Sequence, residues 1–205
     1  MINETQKLGL RERKKAEGRA NVLEISHQLF REFGFDETTL RDICDEADIS
    51  KRTFFRYFKD KESLIFPHRE ERLEAFLNFL AVNEQIENPF DALRMATRSF
   101  GAQYGENSSH LHAQQRIIQA SPALLARERE IDADWQKAIA NAFSARSGGT
   151  LGDDLWAQVL AGAIMGVVRA IMNNWFAGGC KADLAELGLE ALDYLEQGFP
   201  TIVGE

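Results

Sequence analysis

Lys51, Arg52, Thr53 and Arg56 fall within one stretch of six residues, with Ser50 directly before it. Ser50 is a good N-cap, so the stretch reads as a short helix that begins beside Lys51. Phe54 and Phe58 sit four apart and can pack inward. Lys51, Arg52, Thr53, Phe55 and Arg56 then face outward. Cations and a hydroxyl on the open face of a short helix suit the DNA major groove, where they can meet base edges. Lys59 and Lys61 follow, at the start of the next helix, where phosphates would lie. A helix just upstream must position this one. Thr38 or Thr39 can cap it, and Leu40, Ile43 and Ala47 recur at helical spacing to give it a buried face.

The charge distribution fits that chemistry. The chain has 205 residues and a net charge of −8, which at first opposes a nucleic-acid partner. Residues 1–68, however, hold 13 basic and 13 acidic residues, and the remaining 11 basic and 19 acidic residues carry the whole excess. The basic residues of the first part are also clustered. Lys7, Arg11, Arg13, Lys14, Lys15 and Arg19 form an arm, while Lys51, Arg52, Arg56, Lys59 and Lys61 surround the second helix. Local phosphate contacts matter more than the total charge. An acidic remainder keeps the duplex on one face.

Other chemistries find little support. Cys44 and Cys180 are far apart, which argues for a reducing compartment and no disulfide framework. The N-terminus is polar and charged, unlike a signal peptide. The apolar run Leu155–Met172 contains Gln158 and Arg169 and reads as a helix in a core or dimer interface, with no membrane partner. His27, His68, His110 and His112 show no zinc-ligand spacing, so no metal is expected. No phosphate loop or nucleophile elbow is present, so we expect no catalytic residue, no cofactor and no enzyme.

Helical periodicity dominates, and the expected fold is all-α. Residues 1–15 read as an arm or frayed helix start. Val22, Ile25, Leu29 and Phe33 mark a first helix over 19–33, ended by Gly34. After the two short helices, a fourth is expected from Asp60 to about Leu80, with Pro67 bending it from inside. Asn88-Pro89 starts another, ENSSH is read as a loop, and Ser121-Pro122 opens a long helix to about Ala145. SGGTLGDD is a loop before two last helices, about 153–176 and 182–198.

The run LFREFGFDETTLRDICDEADISKRTFFRYFKDKESL resembles the DNA-binding domain of TetR-type transcriptional regulators. The shared features are Phe33-Gly34-Phe35, the Thr38-Thr39 cap, Ile43, Ala47, Ser50, Thr53, the aromatic residues from Phe54 to Phe58, and Lys61-Glu62 with Leu64. Departures are Asp48 and Arg52, where the family commonly has Gly and Gly or Pro. At Phe55 the family's Tyr and its phosphate-seeking hydroxyl are absent. The resemblance implies an N-terminal three-helix helix-turn-helix domain over 1–66 and a C-terminal helical sensor and dimerisation domain over 67–205. It further implies that Lys51, Arg52, Thr53, Phe55 and Arg56 face the groove while Thr39, Arg41, Tyr57 and Lys61 touch phosphates. The expected partner is a double-stranded, palindromic DNA operator in the cytoplasm.

The C-terminal half is rich in aromatic and sulfur side chains. Most must be core, yet bulky apolar residues between helices can also enclose a ligand cavity. Candidate ligand residues are Phe100, Tyr104, Trp135 and Trp175, with Arg116 and Arg169 as cations in otherwise apolar pattern. Each arginine either anchors an anionic head group or closes a salt bridge to Glu190, Asp193 or another acid. Ala161-Gly162 and Gly166 allow close helix approach. By resemblance, the last two helices build a homodimer, and RIIQASPALLARERE with Trp135 and Trp175 is similar to the sensor of mycofactocin-type, acyl-CoA-responsive regulators. The chain is thus expected to be a repressor released by a small apolar or acyl ligand. The competing expectation is a DNA- or protein-binding factor of the same fold with no sensor and a filled core.

Overall fold

The computed structural model describes residues 9–148 and 154–198, so Lys7 and the middle of the SGGTLGDD loop lie outside it. Among the described residues the structure is helical: α1 (Leu10–Phe33), α2 (Leu40–Glu46), α3 (Lys51–Tyr57), a 3-10 turn (Glu62–Leu64), α4 (Arg69–Val82), α5 (Pro89–Glu106), α6 (Ser108–Ala120), α7 (Pro122–Ser147), α8 (Leu155–Ala177) and α9 (Leu184–Gln197). They form two compact units. One is the chain up to Pro67 together with Arg116–Leu125, and the other is the remainder.

In the first unit, α1 is longer than the periodicity implied and takes in most of the basic arm. Its buried stripe is Val22, Ser26 and Phe30, whereas Phe33 is 57% exposed. Ser26 fits that stripe because its hydroxyl donates to the Val22 carbonyl at 2.6 Å. Gly34 ends the helix at φ 88°, a conformation only glycine adopts without strain. Pro67 does not bend a helix from inside, as the sequence suggested. A proline lacks the N–H and pushes the residue before it out of the helical region, so the chain is not helical there. Instead Asp60 accepts from the Ser63 N–H at 2.8 Å and starts a separate 3-10 turn. That turn buries Leu64 and is followed by buried Ile65 and Phe66, and α4 begins only at Arg69.

In the second unit, Leu80, Leu93, Ile139, Phe143, Leu160 and Ile164 anchor one core shared by α4, α5, α7, α8 and α9. ENSSH is not a loop: a single turn residue, Asn107, separates α5 from α6. Asn88, Asp154 and Asp183 cap α5, α8 and α9 through their side chains. Arg94 of α5 clamps α9 by donating to Asp193 at 2.6 Å and Glu196 at 2.5 Å. Helix α8 is long and apolar enough to cross a membrane. One side of it, including Ala157, Leu160, Ala161, Ile164 and Met165, is instead buried in this core.

Candidate functional site

The reading surface is built on α2 and α3. Thr39 caps α2 in a reciprocal arrangement. Its backbone N–H donates to Asp42 at 2.8 Å, and the Asp42 N–H donates to the Thr39 hydroxyl at 3.2 Å. These bonds hold the Asp42 carboxyl below its ordinary pKa, the Thr39 side chain acting most strongly. The turn to α3 needs a left-handed residue, and Asp48 supplies it at φ 50°. Aspartate tolerates that region better than most side chains. Ser50 caps α3 by accepting from the Thr53 N–H at 3.1 Å. Ile43, Phe54 and Phe58 are buried, and the Phe54 and Phe58 rings lie 5.4 Å apart.

This framework turns Lys51, Arg52, Phe55 and Arg56 outward, with Phe55 55% exposed and edge-on to Phe54. The Thr53 hydroxyl lies 3.0 Å from that of Ser50. Arg56 donates to the Tyr57 hydroxyl at 3.1 Å. Arg41 pairs with Asp45 on the exposed side of α2. Lys61 is placed differently from the expected phosphate contact. Its ammonium donates to the carbonyls of Phe35 at 2.7 Å and Thr38 at 2.9 Å, and it lies over the Phe35 ring. Burial lowers its pKa. The side chain therefore ties the turn before α2 to the segment after α3.

Two contacts escaped the sequence reading. Gly18 lies inside the unbroken α1, where a Cβ would lie 2.8 Å from the Tyr57 hydroxyl. Arg19 donates to the Pro67 carbonyl at 2.9 Å with its guanidinium over Phe58. Arg19 is therefore part of the domain's packing, not a free member of the basic arm.

The second unit contains a cavity of about 490 Å³. Its walls come from α4, α5, α7, α8 and α9. Phe100, Tyr104 and Trp135 line it, together with Phe76, Ile139, Ile164 and Met172. Phe76 bridges the aromatic wall, with its ring 6.3 Å from Phe100 and 6.2 Å from Trp135. Three expected ligand residues are elsewhere. Trp175 is 1% exposed, and its indole N–H donates to the Ala182 carbonyl at 2.9 Å, so it closes the α8–α9 turn. Arg169 is exposed and paired with Asp132 at 2.8 Å. Of the two alternatives for that arginine, the structure shows the salt bridge, made to an acid other than Glu190 or Asp193. Arg116 is exposed on the last part of α6 and does not line the cavity. A histidine, an acid and an arginine do line the cavity: His68, just before α4, and Glu71 and Arg72 in its first turn. Their spacing carried a signal: 68, 72 and 76 are helical repeats that lead directly to Phe76.

Among the described residues no group of acids, histidines or cysteines is arranged to hold a metal ion. Cys44 is buried, and burial raises its pKa, which makes it a poor thiolate.

Comparison with known proteins gives these sites a context. Residues 22–66 match bacterial regulatory proteins of the tetR family, and residues 87–200 match the MftR C-terminal domain. The regulator TcmR of Streptomyces glaucescens is 29% identical over 190 residues, covering 90% of this chain and 81% of TcmR. The putative mycofactocin biosynthesis transcriptional regulator MftR of Mycobacterium tuberculosis is 27% identical, covering 84% of this chain and 91% of MftR. Among solved structures, Thermus thermophilus FadR, a TetR-family repressor in complex with lauroyl-CoA, shares the fold. Its TM-score is 0.59 at 22% identity, covering 91% of this chain and 97% of that one.

Proposed function

This chain is a TetR-family transcriptional regulator with an MftR-type C-terminal domain, and from that premise we propose that it is a cytoplasmic, homodimeric repressor released from a palindromic operator by an apolar or acyl ligand. The observation that carries the ligand half is the aromatic-lined cavity of about 490 Å³, a size suited to a small amphipathic molecule. A sensorless factor would have no use for that space. Thermus FadR, bound to lauroyl-CoA, supports an acyl ligand by analogy of fold.

On the DNA side, Lys51, Arg52 and Arg56 enter the major groove with Thr53 and Phe55 beside them. Thr39, Arg41 and Tyr57 lie toward phosphates. Lys61 holds the turn that carries Thr39 and acts on DNA through it. A single α3 reads only a few base pairs, so two copies are required for a palindrome. Leu155 and Val159, 72% and 62% exposed on α8, provide an unpartnered apolar face for the second copy. Gly166 continues it as a glycine whose absent side chain would meet nothing in the protomer. Ile164, Val167 and Leu192 line the protomer's own cavity and are not part of that face.

Release follows if the ligand favours one spacing of the two reading heads. Helix α4 starts two residues after Pro67, and α7 continues from the Arg116–Leu125 segment of the first unit into the wall that carries Trp135. Filling the cavity shifts both helices and, through them, the head. The test is to titrate fatty acids and acyl-CoAs against the protein–operator complex. Coupling of the usual strength lowers operator affinity by roughly 5- to 150-fold. Failure of every such ligand to release DNA would remove the sensor half and leave the DNA-binding half in place.

A further inference from the structure

Arg72 is the one cavity-lining arginine among the described residues, and its Nε is buried with no hydrogen-bond acceptor. An unsatisfied buried donor costs stability, and a guanidinium edge is more demanding than most. Two acids, Glu70 and Glu71, share the first turn of α4, and Glu70 pairs with Arg69. Glu71 lies 3.9 Å from His68 Nδ1. The cavity that Arg72 borders is mostly apolar, with Phe76 one helical turn further along α4. The residue before α4, His68, offers no side-chain cap, so the first amides of this 14-residue helix add positive potential at the same end.

We infer that Arg72 is the anion anchor of the cavity, taking a paired-oxygen anion at the end of a long apolar body. A guanidinium presents parallel N–H groups that match a carboxylate or a phosphate. The apolar body then lies along Phe76, Phe100 and Trp135. Glu71, which lines the same cavity, opposes the anion and limits its affinity. This assignment rests on the ligand-sensing reading above and moves its anionic contact from Arg116 and Arg169 to α4, the first helix of the second unit.

The experiment is displacement of the neutral dye Nile red from the full-length protein by lauric acid, lauroyl-CoA and methyl laurate. At least one of the two anionic ligands should outcompete the ester by roughly tenfold or more, and whichever does identifies the source of the anion. Arg72→Gln should erase that advantage and leave the ester unchanged. Arg72→Lys, which keeps the charge but loses the planar edge, should retain part of it. Glu71→Gln should strengthen the anion and not the ester. Thermal melts of each variant establish that it is folded. If the three ligands compete equally, or if the anion's advantage survives in Arg72→Gln, the anchor assignment is overturned while the cavity reading stands. If neither dye nor ligand binds the wild type, the cavity reading fails and the anchor with it.

Discussion

A Cβ placed on Gly101 of α5 would lie 2.8 Å from the Cβ of Ala185 on α9 and 3.0 Å from its Cα. The two helices therefore touch closely, and together they contribute to the wall of the cavity. A second glycine, Gly188, approaches Thr97 in the same way, with the virtual Cβ 2.6 Å from the threonine methyl. The two differ in who must move. At Gly101 the obstacle is partly main chain, which cannot rotate away. At Gly188 it is a side-chain methyl that can. Gly101→Ala should cost about 1–3 kcal/mol by overpacking and loosen dye binding in the cavity. Gly188→Ala should cost less. Urea denaturation of the two variants checks the order, and Ala185→Gly should partly restore Gly101→Ala.

Arg52 and Lys61 are both cations of the reading head, yet their surroundings predict different phenotypes. Arg52 is exposed on α3. Arg52→Ala should relax preference at one base position and cost roughly 1–3 kcal/mol of operator affinity if the contact is bidentate. Lys61 is committed to two carbonyls. Lys61→Met should lower the melting temperature and weaken binding without flattening its salt dependence. A direct phosphate contact would flatten the slope by about one unit. Binding isotherms at several salt concentrations separate the two.

Local signals in the sequence proved sufficient where a single side chain settles the geometry. Ser50, Thr39, Asn88 and Gly34 end or begin helices because their own groups satisfy or relax the backbone. The inward pair Phe54 and Phe58 was legible from spacing alone. Three features were not. Pro67 reads as a kink in a helix unless Asp60 is known to nucleate a separate turn. Trp175 reads as a cavity aromatic unless its indole partner, the Ala182 carbonyl, is known. Arg169 and Arg72 look alike in sequence, and only tertiary structure reveals that Asp132 pairs with the first. Propensity fixes local conformation, whereas burial and partner choice depend on which helices meet.

Glu128 on α7 gives a pH-dependent prediction. Burial raises its pKa above the ordinary 4.5, with Asp132 adding to the shift. Above 4.5 the unfolded chain releases this proton while the folded protein retains it. Stability is therefore lost as pH rises from 4.5 to the folded value, and the loss is constant beyond. Glu128→Gln keeps a hydrogen-bonding partner for Gln115 and removes the charge. It should raise the melting temperature at pH 7 and lose that advantage below pH 4.5. Melts across that range decide the point.

Val159 is 62% exposed in the protomer, so a charge there is tolerated by the isolated fold. Val159→Asp should leave the monomer folded but abolish the dimer, because an apolar self-complementary face cannot bury two like charges. Sedimentation at micromolar concentration should show monomer for this variant and dimer for wild type. A wild-type protein that sediments as a monomer under those conditions would remove the α8 face from the account.

The most direct measurement of the central claim is selection of bound duplexes from a random DNA pool at physiological salt, with the wild-type protein. Enrichment of an inverted repeat whose half-sites lie about one helical turn apart or a multiple of it is expected, with loss of that enrichment when Lys51, Arg52 and Arg56 are replaced together by Ala. A pool that emerges without any inverted repeat, or the same repeat recovered by the triple variant, would contradict that claim.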